Sequence, residues 1–398
     1  MKQIFKGKKF IGMVDSFSLK KKGICFGLLL VYIFSSMPLL QGALIGISDA
    51  NGYEIDYSYS IDLRAFLFLF NLATLLISFY SFKILFENDY IGLLCAMLYE
   101  LSVYRVSAEY ITGYLGETVA MAFLPLLLLG FYEIFFGKHK EIPGKYSWIS
   151  LCVGIVGLVL SQLLVGIFDF PNTSMQTIQS RGLLVADLLF VFFRSGNQLN
   201  HSTEGMLYSE PMGFGLALVS AFIIWCLMRF LGKFKYLSKS DLRFGKISAW
   251  VMVSFSVMSL SAFPWDRIQQ LNKLMSALVS SIRYPKRFLV VATLAGIALV
   301  GLLAKEFSLV AKGSLKRKYI YKGFDVGMLL GVFCSGIYLI NDIAYSEESY
   351  IIIDVCGAMN RIGYRKVLSA IMVFLCIALM AVCVIEKRRK YIECDKEI

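Results

Sequence analysis

Residues 287–304 read RFLVVATLAGIALVGLLA, and no side chain from Phe288 to Ala304 carries a charge. A membrane-spanning helix needs roughly 20 mostly apolar residues, so this stretch predicts one. Similar stretches recur along the 398-residue chain, which is 58% hydrophobic and only 17% charged, with a mean hydropathy of +0.67. Soluble globular chains are about a quarter charged. The sequence therefore predicts a polytopic membrane protein and excludes an ordinary soluble enzyme.

The apolar stretches predict an all-α transmembrane helical bundle of about ten spans. They form one transmembrane domain, residues 23–385, between a basic cytoplasmic N-terminal segment (1–22) and a cytoplasmic tail (386–398). The expected spans lie near 23–47, 65–86, 90–107, 115–136, 147–168, 213–231, 247–264, 287–304, 323–340 and 366–385. The longest external region is 169–212, whose apolar stretch of about 11 residues from Leu183 to Phe193 is too short to cross a bilayer.

The segment 265–282 shows the clearest helical periodicity in the chain. Apolar residues recur there at steps of three and four from Trp265 to Ile282, and polar residues occupy the other positions. Pro264 and Pro285 set the limits of the pattern. We expect an amphipathic helix lying on the external surface.

The formal net charge of +12 raises the question of nucleic-acid binding. With the N-terminus inside, the ten spans place 28 of the 40 Lys and Arg residues on the cytoplasmic side, but only 12 of the 28 acidic residues. This asymmetry is the orientation signal of an inserted protein, so it predicts topology and no nucleic-acid partner. Basic runs at 20–22, 316–318 and 387–390 can also contact anionic membrane lipids.

Acidic residues are concentrated in the first external loop, where Asp49 lies closest to the end of the first span. A carboxylate just beyond a helix end can act as a general base or hold a divalent cation. The alternative is a solvated acidic loop that only follows the topology. No cofactor is evident, and nothing else in the sequence supports a divalent cation. Motifs for ATP hydrolysis and zinc peptidase chemistry are absent from the sequence.

Two further groups of charged residues require an explanation. Glu100 lies within a predicted span, one turn before Arg105, and the two either line a polar cavity or form an ion pair that packs helices. Arg283, Lys286 and Arg287 lie just before the span near 287–304, against the positive-inside trend. Arginine binds phosphate oxygens in a bidentate manner, so this segment predicts a lipid-linked phosphate site, with snorkelling to headgroups as the alternative.

Several motifs resemble a bacterial family of GT-C-like membrane proteins often labelled pyruvoyl-tetrahydropterin-synthase-related. They are AMLYELSVYR at 96–105, GYLGET at 113–118, AFLPL at 122–126, FPW at 263–265 and IRYPKRFL at 282–289. The family shows a Tyr–Arg pair after span three, a Gly–Glu turn, an Ala-Phe-Leu-Pro run, and an aromatic-Pro-x-Arg-Phe entry to a later span. The resemblance covers about residues 90–310.

The resemblance implies an integral membrane glycosyltransferase of the bacterial cytoplasmic membrane. It would transfer a sugar from a polyprenyl-phosphate donor to a cell-envelope acceptor at the external face. Asp49 would be the catalytic base, and the expected substrate-binding residues are Arg105, Glu109, Glu117, Arg283 and Arg287.

The chain also departs from the family pattern. Its first external loop is short, Thr112 stands where an Arg is usual, and Gln162 replaces an expected His. The alternative function is therefore a non-catalytic binding protein, flippase or assembly subunit for lipid-linked oligosaccharide.

Overall fold

A computed structural model describes residues 23–36, 39, 57–110, 115–136, 148–159, 182, 183, 185, 188, 213–282, 285–310, 322–328 and 330. Within these residues the chain is helical, apart from turns and one isolated bridge. The helices are α1 (Gly23–Ser35), α2 (Tyr57–Phe86), α3 (Asp89–Glu100), α4 (Val103–Tyr110), α5 (Leu115–Phe135), α6 (Trp148–Val159), α7 (Gly215–Phe230), α8 (Lys239–Ser259), α9 (Trp265–Gln269), α10 (Lys273–Ser281), α11 (Phe288–Val310) and α12 (322–328).

Three of these helices contain stretches long and apolar enough to cross a membrane: Ala65–Phe86 in α2, Glu117–Phe135 in α5 and Pro285–Leu309 in α11. A fourth span is present if α3 and α4, which are bent by 46° relative to each other, count as one. Helices α1, α6 and α7 contain shorter apolar stretches. The helical fold and the presence of membrane-length helices are thus confirmed. The number of ten spans stays a prediction, and the predicted span at 366–385 lies outside the described residues.

Helix α11 lies at the centre of the packing and contacts α3, α7 and α8. Leu289, Ile297 and Val300 along it have no exposed surface or almost none. Close helix approach depends on small residues, as is usual where helices pack in a membrane. A Cβ atom at Gly301 would lie 2.2 Å from the Phe86 ring, so any other residue there would require the ring to move. The apolar interior therefore depends on close contact between α2 and α11.

Helices α2 and α3 form a tight hairpin. Glu87 adopts a positive φ of 56° in the turn, and Asn88 caps α3 by accepting a hydrogen bond from the Tyr90 amide at 2.9 Å. An ion pair of 3.0 Å joins Lys83 to Asp89 across the turn. The hairpin brings Asn71 in α2 to the same end of the bundle as the residues around Arg105 in α4.

The prediction of one continuous surface helix over 265–282 is wrong in one respect, because the structure has two shorter helices there, α9 and α10. The reason is Asn272, whose side chain accepts a hydrogen bond from the Met275 amide at 2.8 Å and so starts a new helix. Trp265 at the start of α9 is buried and stacks on Phe288 with ring centroids 5.5 Å apart. Leu274, in contrast, is exposed. The segment is therefore attached to the bundle at its first residue.

The few described residues of the predicted external region 169–212 lie beside the end of α8. The Leu183 amide donates to the Ser259 carbonyl, and the Ser261 amide donates to the Leu183 carbonyl, both at 2.9 Å. The Phe214 amide, just before α7, donates to the Leu188 carbonyl at 3.2 Å. These contacts place Leu183 and Leu188 at the end of the bundle where α11 begins.

Candidate functional site

Buried polar side chains gather at two opposite ends of the bundle. Arg287 immediately precedes α11, whereas Lys305 and Glu306 lie near the other end of that helix. Eighteen residues of helix correspond to about 27 Å, close to the thickness of a bilayer hydrocarbon core. We refer to the two regions as the Arg287 end and the Lys305 end. The mostly apolar helices between them are the part suited to a membrane interior.

At the Arg287 end, Glu117 is in contact with Arg287, which lies 170 residues further along the sequence. Its Oε2 accepts a hydrogen bond from Arg287 Nε at 3.2 Å, and its Oε1 accepts one from the Tyr104 hydroxyl. The Glu117 side chain is buried, whereas 21% of the Arg287 side chain is exposed. Glu117 therefore orients a guanidinium group that remains accessible from outside the helix packing.

Local structure fixes the position of Arg287. Pro285, Lys286 and Arg287 form one turn of 3₁₀ helix that leads directly into α11. Trp265 stacks on Phe288, and the Trp265 indole donates to the Met258 carbonyl at 2.9 Å, which attaches this turn to the end of α8. Lys286 is buried, so the turn places two neighbouring cations at different depths.

Arg105 lies at the centre of a second, fully buried network. Its Nη2 donates to Asn71 Oδ1 at 2.9 Å and to Glu100 Oε1 at 3.1 Å, and it lies 3.7 Å from Glu109 Oε2. Asn71 Nδ2 in turn donates to Glu109 Oε1 at 2.6 Å. The side chains of Arg105 and Glu100 are 1% and 0% exposed. This burial favours the ion-pair interpretation of Glu100 and Arg105 over a polar cavity.

The structure brings together four of the six predicted site residues, in two pairs. Arg105 lies with Glu109, and Arg287 lies with Glu117, as described above. The pairs are neighbours, because Tyr104, next to Arg105 in sequence, donates to Glu117. The other two, Asp49 and Arg283, lie outside the described residues.

Sequence reasoning missed two members of these networks. Asn71 is buried in α2 and connects Arg105 to Glu109. The sequence signal for Asn71 is its position in the middle of an apolar run, because a polar side chain inside a membrane helix needs a partner. Tyr104 belonged to a quoted motif, but its role as a donor to Glu117 depends on the packing of α4 against α5.

The Lys305 end contains a different arrangement. Asp241 accepts hydrogen bonds from Tyr132 at 2.7 Å and from Lys305 at 3.1 Å, and it forms a reciprocal capping box with Ser238 at the start of α8. Burial opposes ionisation of Asp241, but the Lys305 charge and the hydrogen bonds outweigh it and lower the pKa of its carboxyl group. Asp241 is therefore a structural carboxylate that stays charged at neutral pH.

Chemically, the Arg287 end offers oriented cations for an anionic group. No group of three His, Cys, Asp or Glu residues suited to a metal ion occurs among the described residues. Comparison of the chain with protein-family models, with curated proteins and with solved structures gives no match.

Proposed function

We propose that the chain is a GT-C-like integral membrane glycosyltransferase. In this proposal it transfers a sugar from a polyprenyl-phosphate donor to a cell-envelope acceptor at the external face of the bacterial cytoplasmic membrane. The Arg287 end holds the donor phosphate. The bundle has about ten spans, and both termini are cytoplasmic.

One observation carries the proposal. Glu117 and Arg287 belong to separate motifs of the resemblance, the Gly–Glu turn and the aromatic-Pro-x-Arg-Phe entry, and they are in direct contact at 3.2 Å. Unrelated short motifs have no reason to meet in space across 170 residues. Their contact at one end of the bundle supports a shared site.

The chemistry of the proposed site follows from its charges. A departing polyprenyl phosphate needs cationic stabilisation more than it needs a proton. Arg287 and Arg283 supply that charge, and Glu117 fixes the direction of the Arg287 guanidinium group. A hydroxyl acceptor needs one well-placed carboxylate as base, and Asp49 is assigned that role.

The test is sugar transfer by the purified full chain in proteoliposomes, with a panel of radiolabelled polyprenyl-phosphate sugars as donors. Arg287→Gln removes a charge aimed at the leaving phosphate, and losing one such group costs roughly 100-fold in rate or more. Asp49→Asn removes the base, with an expected loss of 100- to 10,000-fold. Lys273→Gln, an exposed cation on α10 at the same end, is the matched control and should retain full activity.

The outcomes separate the proposal from its alternative. Full transfer by Asp49→Asn removes that residue from the base role. Absence of transfer from every donor, together with saturable binding of a polyprenyl-phosphate sugar that Arg287→Gln weakens, identifies a non-catalytic binding, flippase or assembly protein for lipid-linked oligosaccharide. If Arg287→Gln and Lys273→Gln behave alike in both transfer and binding, the proposed phosphate site is wrong.

A further inference from the structure

The loop between α7 and α8, with the adjoining turns of both helices, presents a dense basic surface at the Lys305 end. Six cations between Arg229 and Lys246 are exposed, and the single acid of that stretch, Asp241, is buried. The exposed cations are Arg229, Lys233, Lys235, Lys239, Arg243 and Lys246. Within the part of the chain that the structure describes, none of the six forms an ion pair or a side-chain hydrogen bond. We call these six residues the α7–α8 basic surface.

Large apolar side chains are exposed between these cations. Phe230 is 88% exposed and Tyr236 is 51% exposed, and Leu231 beside them is also exposed. Aromatic side chains next to lysines and arginines are typical of the interface between a bilayer and water. A free anion in solution would be bound by the cations alone, so the exposed aromatic rings favour a lipid over free phosphate.

The backbone below the α7–α8 basic surface is held by a buried acid. The Glu306 carboxylate accepts hydrogen bonds from the amides of Lys235 at 2.8 Å, Tyr236 at 3.0 Å and Leu237 at 2.9 Å. Glu306 itself has no exposed surface. One carboxylate that holds three successive amides fixes the loop before any ligand arrives, and such preorganisation lowers the entropic cost of binding.

The two acids packed beneath the α7–α8 loop, Glu306 and Asp241, are directed inward and do not contact its exposed cations. The Glu306 carboxylate accepts hydrogen bonds from the loop backbone, and the Asp241 carboxylate accepts them from the Tyr132 hydroxyl, the Ser238 amide and the Lys305 ammonium group. Neither carboxylate is available to neutralise the exposed lysines. The positive-inside rule accounts for the number of cations, but it does not require a loop whose backbone is fixed in this way.

We infer that the α7–α8 basic surface is a binding site for the phosphate headgroups of anionic phospholipids, in the leaflet that faces the Lys305 end. Each lysine or arginine near an anionic membrane surface contributes about a fivefold change in affinity. The site lies at the opposite end of α11 from the proposed donor site and does not depend on sugar transfer. A failed sugar-transfer assay therefore does not argue against the lipid site, and a failed lipid-binding assay does not argue against the proposed function.

The experiment measures lipid retention by the delipidated full chain in detergent, by native mass spectrometry. Phosphatidylglycerol and phosphatidylcholine are titrated separately at low and high salt. The expected result is a clear preference for phosphatidylglycerol that weakens with salt, because exposed charges are screened. The double variant Lys233→Gln/Lys235→Gln should bind phosphatidylglycerol about 25-fold more weakly and phosphatidylcholine unchanged.

The matched control removes two exposed cations at the other end, Arg267→Gln/Lys273→Gln. It should keep the phosphatidylglycerol affinity of the wild type. Equal losses in the two double variants would mean that net charge alone attracts the lipid, which overturns the inference. Displacement of the lipid by millimolar inorganic phosphate would also overturn it, because the site would then bind phosphate without the lipid.

A second variant tests the contribution of the fixed backbone. Glu306→Gln keeps every surface cation but offers the three amides a single neutral acceptor oxygen. Amide hydrogen exchange at 235–237 should become at least about tenfold faster, since the charge-assisted hydrogen bonds are lost. Binding of phosphatidylglycerol should weaken several-fold. Faster exchange with unchanged lipid binding would show that the site does not need a rigid loop.

Discussion

Replacing Arg105 by Gln should destabilise the protein far more than replacing its partner Glu100. Arg105 lies between two carboxylates, with Nη2 3.1 Å from Glu100 Oε1 and 3.7 Å from Glu109 Oε2, and the side chains of all three residues are almost fully buried. Removing one partner of a buried ion pair costs about 3–5 kcal/mol, because the remaining charge is left uncompensated. That free energy corresponds to a factor of about 100 to 5,000 in the unfolding equilibrium constant.

Replacing Glu100 leaves a different balance of charges from replacing Arg105. Glu100→Gln leaves Arg105 with Glu109 and with Asn71, so one cation still faces one carboxylate. The expected loss is about 1 kcal/mol, the typical value of one hydrogen bond. The asymmetry between the two variants is therefore the diagnostic quantity.

The assay is reversible unfolding of the purified chain in mixed micelles with increasing SDS, followed by circular dichroism. Lys83→Gln is the control, because the Lys83–Asp89 ion pair is partly exposed and its loss should cost at most about 1 kcal/mol. If Arg105→Gln costs no more than Lys83→Gln, water must solvate the two carboxylates in its absence. The Glu100–Arg105 region would then be a wet polar cavity, and the ion-pair interpretation would be wrong.

Two further predictions concern packing and pH. Gly301→Ala places a Cβ atom 2.2 Å from the Phe86 ring and should lower the free energy of unfolding by about 1–3 kcal/mol. Gly327→Ala is the control, because a Cβ atom there has nothing within 4 Å and should cost little. Equal effects of the two variants in SDS titrations would contradict the close contact between α2 and α11. Asp241 has a lowered pKa, so its stabilising contribution is present above its unfolded-state pKa of about 4 and is lost as the pH falls through its folded-state value. The difference in stability between the wild type and Asp241→Asn should therefore be largest near pH 7 and shrink in acid, and a difference that is constant with pH would show that the pair with Lys305 is not ionic.

Patterns local in the sequence predicted much of the helical structure. The uncharged run after Arg287 became α11, the most buried of the three membrane-length helices. The sequence left open whether Glu100 and Arg105 line a polar cavity or form an ion pair, and the structure has them in contact at 3.1 Å across the 46° bend between α3 and α4. Residues five apart on a continuous α-helix lie about 140° apart around its axis, so the bend between α3 and α4, and not helix geometry alone, brings these two side chains together.

Contacts between distant segments could not be predicted in the same way. The pairing of Glu117 with Arg287 depends on how α5 and α11 pack, which no local pattern specifies. The division of 265–282 into α9 and α10 was missed because apolar periodicity continues through Asn272. A side-chain cap ends one helix and starts another without changing the hydrophobic pattern, so the periodicity overestimates continuity.

Of the three arginines that the resemblance assigns to substrate binding, the two that the structure describes, Arg105 and Arg287, differ in how accessible they are. Arg105 is 1% exposed, so a phosphate could reach it only if α2, α4 and the Glu109 network separated. Arg287 is also bound to a carboxylate, but 21% of its side chain remains exposed while Glu117 holds its Nε in place. Because binding a phosphate needs both accessibility and orientation, Arg287 is the described residue on which the proposed phosphate site depends. Arg105 instead joins α2, α3 and α4, and α4 is the helix from which Tyr104 donates to Glu117.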